Sequence, residues 1–400
     1  MNFSEEWAEV RVGDLGQVFT GRTPSTKCPE YFGNEFFFIT PGDMHQGKHV
    51  HATERKISDA GANLLRRIQL PPNSVCVSCI GWQMGEVVMT SAKSFTNQQI
   101  NSIVPNNDVD PDFLYYSFVP RKQELLSLAS AIGVRTPILN KSSFCDLHIL
   151  LPPLETQRKI SSILSAYDEL IENNTRRIKI LEEMAHALYR EWFVHFRFPG
   201  HEKVRMMDSS LGRIPEKWEI KPLGEVTLNF DSRRKPLSSM QRAQRQGEYP
   251  YYGAAKILDY IDDFIFDGKY LLIAEDGSVI TPNGKPVLQL VNAKFWVNNH
   301  THIIQGKIPI STEFLYYRLL DLEISGYITG AAQPKVTQAN LNRIPVIVPT
   351  GHLLLQFNEM AENCALEVRN LQRKNDNLRR TRDLLLPRMI SGELKYTSEI

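Results

Sequence analysis

Residue types with chemical potential occur in four places, and each has a plain alternative. Gly42-Asp43-Met44-His45-Gln46-Gly47-Lys48 almost spells a phosphate-cradling loop. Its eighth position is His49, so the hydroxyl that would hold magnesium is missing, and no apolar helix follows. A glycine-rich surface turn accounts for the stretch. Asp43 with Glu54-Arg55-Lys56 has the carboxylates and lysine of a metal-dependent nuclease, but not the strand context that two-metal chemistry needs. Cys76 and Cys79 lie three apart in a β-type run, on opposite faces, which suits buried thiols better than zinc ligands. His300 and His302 would share a strand face without an evident third ligand, and read as two hydrogen-bonded histidines rather than a metal site. No catalytic, cofactor-binding or metal site is expected on this chain.

A different chemistry, recognition of nucleic acid, has more candidates. The early loop of the first half carries Arg22, Thr23 and Lys27, followed by His45, Gln46 and Lys48. Trp82 and Gln83 follow the cysteine run, and Arg135-Thr136 precede the last strand of that half. The second half has Arg233-Arg234-Lys235, then Arg242 and Arg245, then Tyr251, Tyr252 and Lys256, and later Gln333 and Lys335. Arginine and lysine can neutralise phosphates or fork onto guanine, and tyrosine can stack. Singly, each reads as a solvated surface residue. On matched loops of two halves they gain weight as a set.

The elements that position these loops are two long helices. From Leu154 to Phe198 no Pro or Gly interrupts a seven-residue repeat of two series. One runs Ile160, Tyr167, Asn174, Leu181, Leu188; the other runs Leu164, Ile171, Ile178, Ala185, Trp192. That period winds helices around one another, and a helix of this length would reach roughly 60 Å. The partner stripe lies between Gln356 and Met389: Phe357, Cys364, Leu371, Leu378, Leu385 and Ala361, Val368, Asn375, Arg382, Met389. Asn174 and Asn375 either fix register inside the seam or sit at its solvated edge; both readings stand at this point. Trp192, Phe193 and Phe196 read as packing against the second half rather than as a docking patch.

The two halves are repeats. Trp7 and Val10–Gly16 echo Trp218 and Ile220–Val226, and Phe113-Leu114-Tyr115-Tyr116 recurs as Phe314-Leu315-Tyr316-Tyr317. Thr136-Pro137 to Pro152 maps onto Gln333-Pro334 to Pro349, and Ile160 then maps onto Phe357. The expected class is α+β: two similar mixed α/β globules, at 1–153 and 199–352, and two long helices, at 154–198 and 353–400, paired as an antiparallel coiled coil. A parallel pairing would force the connector after Pro199 to run nearly extended over the helix length. Two related heads in inverted orientation suit duplex DNA, whose half-sites recur at about one turn (~34 Å).

Composition is compatible with this. The chain is 42% hydrophobic and 23% charged, which fits globular domains rather than disorder. A net charge of +1 neither favours nor excludes nucleic acid, because basic surfaces can hide in a neutral total. No apolar run marks a signal peptide or a membrane span. Five scattered cysteines suit the reduced thiols of a cytoplasmic protein.

The order of these motifs, LPPLETQRKI with a long helix ending LYREWFVHF, then YPYYGAAKILDYIDD, then a helix ending LLLPRMISGEL, resembles the DNA-specificity subunit of type I restriction–modification systems. The resemblance covers essentially the whole chain, except that Pro349-Thr350-Gly351-His352 lacks the PPLETQ form at the second helix start. It implies that each globule is a target-recognition domain reading one part of a bipartite double-stranded site. It also implies that the coiled coil sets the spacer and docks two methyltransferase subunits, which methylate adenine with S-adenosylmethionine. Restriction subunits, with ATP and magnesium, would add translocation and cleavage. This chain would carry none of that catalysis. Two other classes compete: a metal-dependent nuclease or modification enzyme with its site in the first globule, and a protein-binding coiled-coil adaptor.

Overall fold

Each head is closed by a two-stranded antiparallel ladder between an early strand and the strand that leads into a long helix. In the first, Ala8–Arg11 pairs with His148–Leu151; in the second, Glu219–Pro222 pairs with Pro345–Val348. The computed structural model describes residues 7–45, 47–130, 136–330 and 333–394. It divides into two compact units, Met1–Arg176 with Leu371–Ile400, and Arg177–Asn370. Each unit therefore holds one head and one stretch of each long helix, a division that cuts across the four linear segments read from the sequence.

The heads share a sheet order. In the first, Gly16–Thr20, Ile100–Pro105, Val75–Ser78 and Val87–Thr90 lie side by side; in the second, Thr227–Asn229, Thr301–Gly306, Phe266–Ala274 and Leu288–Val297 do. The repeated Phe-Leu-Tyr-Tyr lies on the helices Pro111–Phe118 and Thr312–Leu320. Asp110 and Ser311 cap them, accepting the N–H of Phe113 at 2.9 Å and of Phe314 at 3.0 Å. Phe113 and Phe314 are fully buried in the two main cores.

The first long helix runs Leu154–Tyr189 and passes into a π-helical turn, Arg190–Val194, so it stops short of the Phe198 expected from Pro199. There Trp192 and Phe193 turn into the second head's core, with Phe193 5.0 Å from Phe314 and 5.9 Å from Trp218, centroid to centroid. The second long helix runs Gly351–Ile390, beginning two residues before the expected position. Its departure from the PPLETQ form has a physical counterpart. Gln157 is buried and donates to Pro152 and Asp108 carbonyls at 2.8 and 3.2 Å, and accepts the Asp110 N–H at 2.8 Å. The equivalent residue, Leu354, is buried in an apolar core instead.

Within each unit the helix stretches run antiparallel. In the first, Ile160 and Leu164 share a core with Leu386 and Met389, Asp168 meets Arg382 at 2.5 Å, and Asn174 meets Asn375. In the second, Arg177 pairs with Glu367 at 3.1 Å and Tyr189 packs on Phe357 at 5.9 Å. The seam positions Tyr167, Ile171, Ile178 and Leu181 on one helix, and Cys364, Val368 and Leu378 on the other, are half-buried; Ala361 and Leu371 are buried. Asn174 Nδ2 donates to Asn375 Oδ1 at 2.9 Å, and both residues are buried, so the amides sit inside the seam and not at its edge.

A lysine fastens each head to a long helix. Lys48 Nζ lies 2.6 Å from Asp112 Oδ1 and 2.8 Å from Ser165 Oγ. Lys269 pairs with Glu313 and Glu362. Asp112 and Glu313 both precede the repeated Phe, and Ser165 and Glu362 hold equivalent helix positions, although the lysines come from different parts of the heads.

Asn375→Ala should strand the buried Asn174 amide and lower stability by about 1–3 kcal/mol, whereas Asn174→Leu with Asn375→Leu should be at least as stable as the native chain. Chemical unfolding of the three proteins checks this ordering.

Candidate nucleic-acid interface

Both heads build the same rim from the same backbone bonds. In the first, the turn after Val75–Ser78 is fastened by Cys79 N–H to the Gln99 carbonyl (2.8 Å) and Gly81 N–H to the Pro137 carbonyl (2.9 Å). Leu139 N–H returns to the Cys79 carbonyl at 2.9 Å, and Asn97 Oδ1 accepts the Gln99 N–H at 3.0 Å. In the second, Glu275 N–H reaches the His300 carbonyl (2.9 Å) and Gly277 N–H the Pro334 carbonyl (3.2 Å). Val336 N–H bonds the Glu275 carbonyl at 2.8 Å, and Asn298 Oδ1 accepts the His300 N–H at 3.0 Å. Gly81 and Gly277 have φ of 95° and 75°, a left-handed turn that favours glycine in both. The backbone and the supporting asparagines Asn97 and Asn298 repeat, while the outward side chains do not.

On the first rim, Thr23 Oγ1 donates to Gln98 Oε1 at 2.8 Å, which joins the early loop to the Asn97–Gln99 turn. Trp82 is 66% exposed, and Gln83 and Thr136 beside it are exposed as well. These side chains are free to meet a ligand, with Trp82 offering a stacking face. Arg22 and Lys27 are exposed on the early loop. His45 is exposed, 4.0 Å from Glu86. Gln46 and Arg135 lie outside the described residues. Lys48 is a correction: its ammonium is fixed between Asp112 and Ser165 over the Tyr116 ring, and it serves the packing of the head.

On the second head more of the candidates are internal. Arg234 holds Glu275 at 2.5 Å and the carbonyls of Asn299 and Thr301. Arg242 pairs with Asp259 at 3.4 Å and lies over the ring of Tyr251. Tyr251 is buried, with its hydroxyl accepting the Leu237 N–H at 2.9 Å, and Tyr252 is half-buried, edge-on to Phe295. Arg245 pairs with Asp262 at 2.8 Å, and Lys335 with Glu275 at 3.0 Å. Arg233 is exposed over Phe266 with one nitrogen on the Ile265 carbonyl. Lys235, Lys256 and Gln333 are exposed. The carboxylates that engage these cations come from distant stretches, which is why residue type alone does not separate free from committed charges.

The chemical decoys resolve in the same way. Asp43 Oδ2 accepts from the Thr40 N–H and hydroxyl, and Oδ1 from the Glu54 N–H at 2.9 Å, so the carboxylate holds a turn. Cys76 and Cys79 face different cores, and burial pushes both thiols up to about 12. Asp231, Glu275 and His302 converge closely enough to hold a metal, a grouping not evident from the sequence. Cations of the chain already occupy the carboxylates: Arg234 and Lys335 serve Glu275, and Arg234 lies 3.8 Å from Asp231. His302 has Nε2 2.8 Å from the Val336 carbonyl and Nδ1 2.6 Å from Asp231 Oδ2. Burial opposes charge on the ring, but Asp231, the carbonyl and Glu275 outweigh it and raise its pKa. Burial would also raise Asp231 and Glu275, yet their partners hold both below the ordinary value.

Two arginines outside the sequence-derived set stand out. Arg66 and Arg67, exposed after the helix Asp59–Leu64, border an open groove of about 680 Å³ together with Arg22, Tyr31, Asn63 and Leu64. A basic pair just past a helix reads as a helix-end complement, which hid them.

A family model described as the type I restriction modification DNA specificity domain matches residues 4–183 and 215–351. The chain is 26% identical over 98% of its length to the specificity subunit of the type I restriction enzyme MjaIX of Methanocaldococcus jannaschii, covering 94% of that protein. It is 35% identical over 44% of its length to the specificity subunit of the type I restriction enzyme HindI of Haemophilus influenzae, covering 39% of that one. Among solved structures, the S subunit of a type I restriction-modification system from M. genitalium has the same fold, with a TM-score of 0.61 at 16% identity, over 98% of this chain and 97% of that chain.

The stability held by charged His302 is present below its unfolded pKa (~6.5) and is lost as pH rises through the raised folded value. Asp231 and Glu275 contribute above ~4 and lose that contribution as pH falls through their lowered values. Unfolding midpoints measured across this range should fall on the alkaline side, and His302→Gln should flatten that fall.

Proposed function

The chain belongs to the type I restriction modification DNA specificity family, and from that premise we propose that its two heads read the two unlike parts of a bipartite duplex site. The observation that carries this reading is the rim: one backbone scaffold built twice, with Trp82, Gln83 and Thr136 exposed on one copy and Gln333 and His300 on the other. Equivalent supports with unlike side chains suit two readers of different sequences. The chain directs an adenine-N6 methyltransferase to that site and performs no catalysis. Two methyltransferase subunits, with S-adenosylmethionine, dock on the paired helices, and restriction subunits bring ATP and magnesium. The assembly works in the cytoplasm, and no helix among the described residues is long and apolar enough to cross a membrane.

Methylation mapping tests this reading. The chain with its methyltransferase subunits should methylate adenines in one bipartite sequence, and the chain alone should transfer no methyl group and cut nothing. Activity of the chain alone would favour the nuclease or modification-enzyme class; retention without sequence preference at moderate salt would favour an adaptor. Gln83→Ala should weaken discrimination at one half-site by about 1–3 kcal/mol and leave the other unchanged. Arg234→Ala should instead destabilise the second head, seen as a lowered unfolding midpoint, because it leaves half-buried Glu275 short of a partner.

A further inference from the structure

We propose that the groove bordered by Arg22, Arg66 and Arg67 is a docking site for DNA backbone phosphates, flanking the bases that the first head reads. This rests on the DNA-reading function proposed above. Three guanidinium groups from two separate stretches line one open groove of about 680 Å³, and no lining residue is acidic. Among the described residues none of the three has a carboxylate partner, whereas Arg11 and Arg121 in the same unit are paired with Asp146 and Glu124. Gathering like charges without a counter-charge opposes folding, so the arrangement calls for an anion from outside.

A helix-end role accounts for only part of this. Arg66 and Arg67 follow the last turn of Asp59–Leu64, where cations are favoured. Arg22 comes from a loop on the other side of the sequence and owes nothing to that helix. The arginine pair is also held outward: Leu65 before it and Leu70 after it are buried, which anchors the turn Arg66–Ile68 at both ends.

Position selects a duplex backbone over a free anion. Arg22 immediately precedes Thr23, whose hydroxyl is bonded to Gln98 on the rim. Bases placed against the rim carry their sugar–phosphate strand towards Arg22, and an open groove admits a continuous strand where an enclosed pocket would select a small ion. Guanidinium forks match phosphate oxygens in pairs. On the second head Arg234, Arg242 and Lys335 are paired internally.

The test measures affinity against salt concentration for the full chain assembled with its methyltransferase subunits, on a fluorescent duplex containing the mapped site and on one lacking it. Each phosphate contact contributes about 0.9 to the slope of log affinity against log salt. Arg66→Gln with Arg67→Gln should make the slope shallower by roughly two on both duplexes, and Arg22→Gln by a further one, with the methylated sequence unchanged. All three residues are exposed, and unfolding midpoints matching the native chain establish that the variants are folded. An unchanged slope overturns the proposal, and so does a changed methylated sequence, which would mean that these arginines read bases. If the native assembly shows no preference between the two duplexes, the specificity reading falls, while the slope difference still scores the groove.

Discussion

A helix of 36 residues and one of 40, each with an apolar stripe, cannot remain solitary in water. That constraint governs the fold. Each stripe is covered by the other helix running the opposite way, and each compact unit takes one stretch from both. The first head precedes the first long helix and the second lies between the two, and each closes on itself, through the ladders Ala8–Arg11 with His148–Leu151 and Glu219–Pro222 with Pro345–Val348. Pairing entry and exit strands in this way lets a globule interrupt a helical chain without disturbing it. The Asn174–Asn375 bond adds alignment: a slip of the seam would leave two amides buried without partners, a larger loss than the apolar contacts a slip would gain.

Polar groups at the head–helix junctions follow a common rule with different members. A lysine from the head meets an acidic residue just ahead of the repeated Phe, together with a side chain at one helix position. The entry to each helix departs from this sameness, with Gln157 making three hydrogen bonds in one half and Leu354 buried among apolar neighbours in the other. Duplicated architecture has kept its geometry while exchanging the chemistry that maintains it.

Much of the architecture is legible in the sequence because periodicity and verbatim repeats are local signals. The seven-residue spacing identified the seam, and the Phe-Leu-Tyr-Tyr repeat aligned the heads. Helix ends were less legible: the π-helical turn at Arg190–Val194 follows from aromatic packing against Trp218 and Phe314, not from Pro199. Charges were least legible. Lys48, Arg234 and Arg242 look like free cations until Asp112, Glu275 and Asp259 arrive from elsewhere in the chain. Arg66 and Arg67 look like helix punctuation until Arg22 joins them. Tertiary contact, not residue type, decides which cations face outward.

The duplicated rim has an evolutionary corollary. Most of its links are main-chain hydrogen bonds, which do not depend on the outward side chains. Substituting an outward residue such as Gln83 or Gln333 leaves those links intact and disturbs no core. Preference can thus drift one letter at a time, independently in each half, without passing through an unfoldable intermediate.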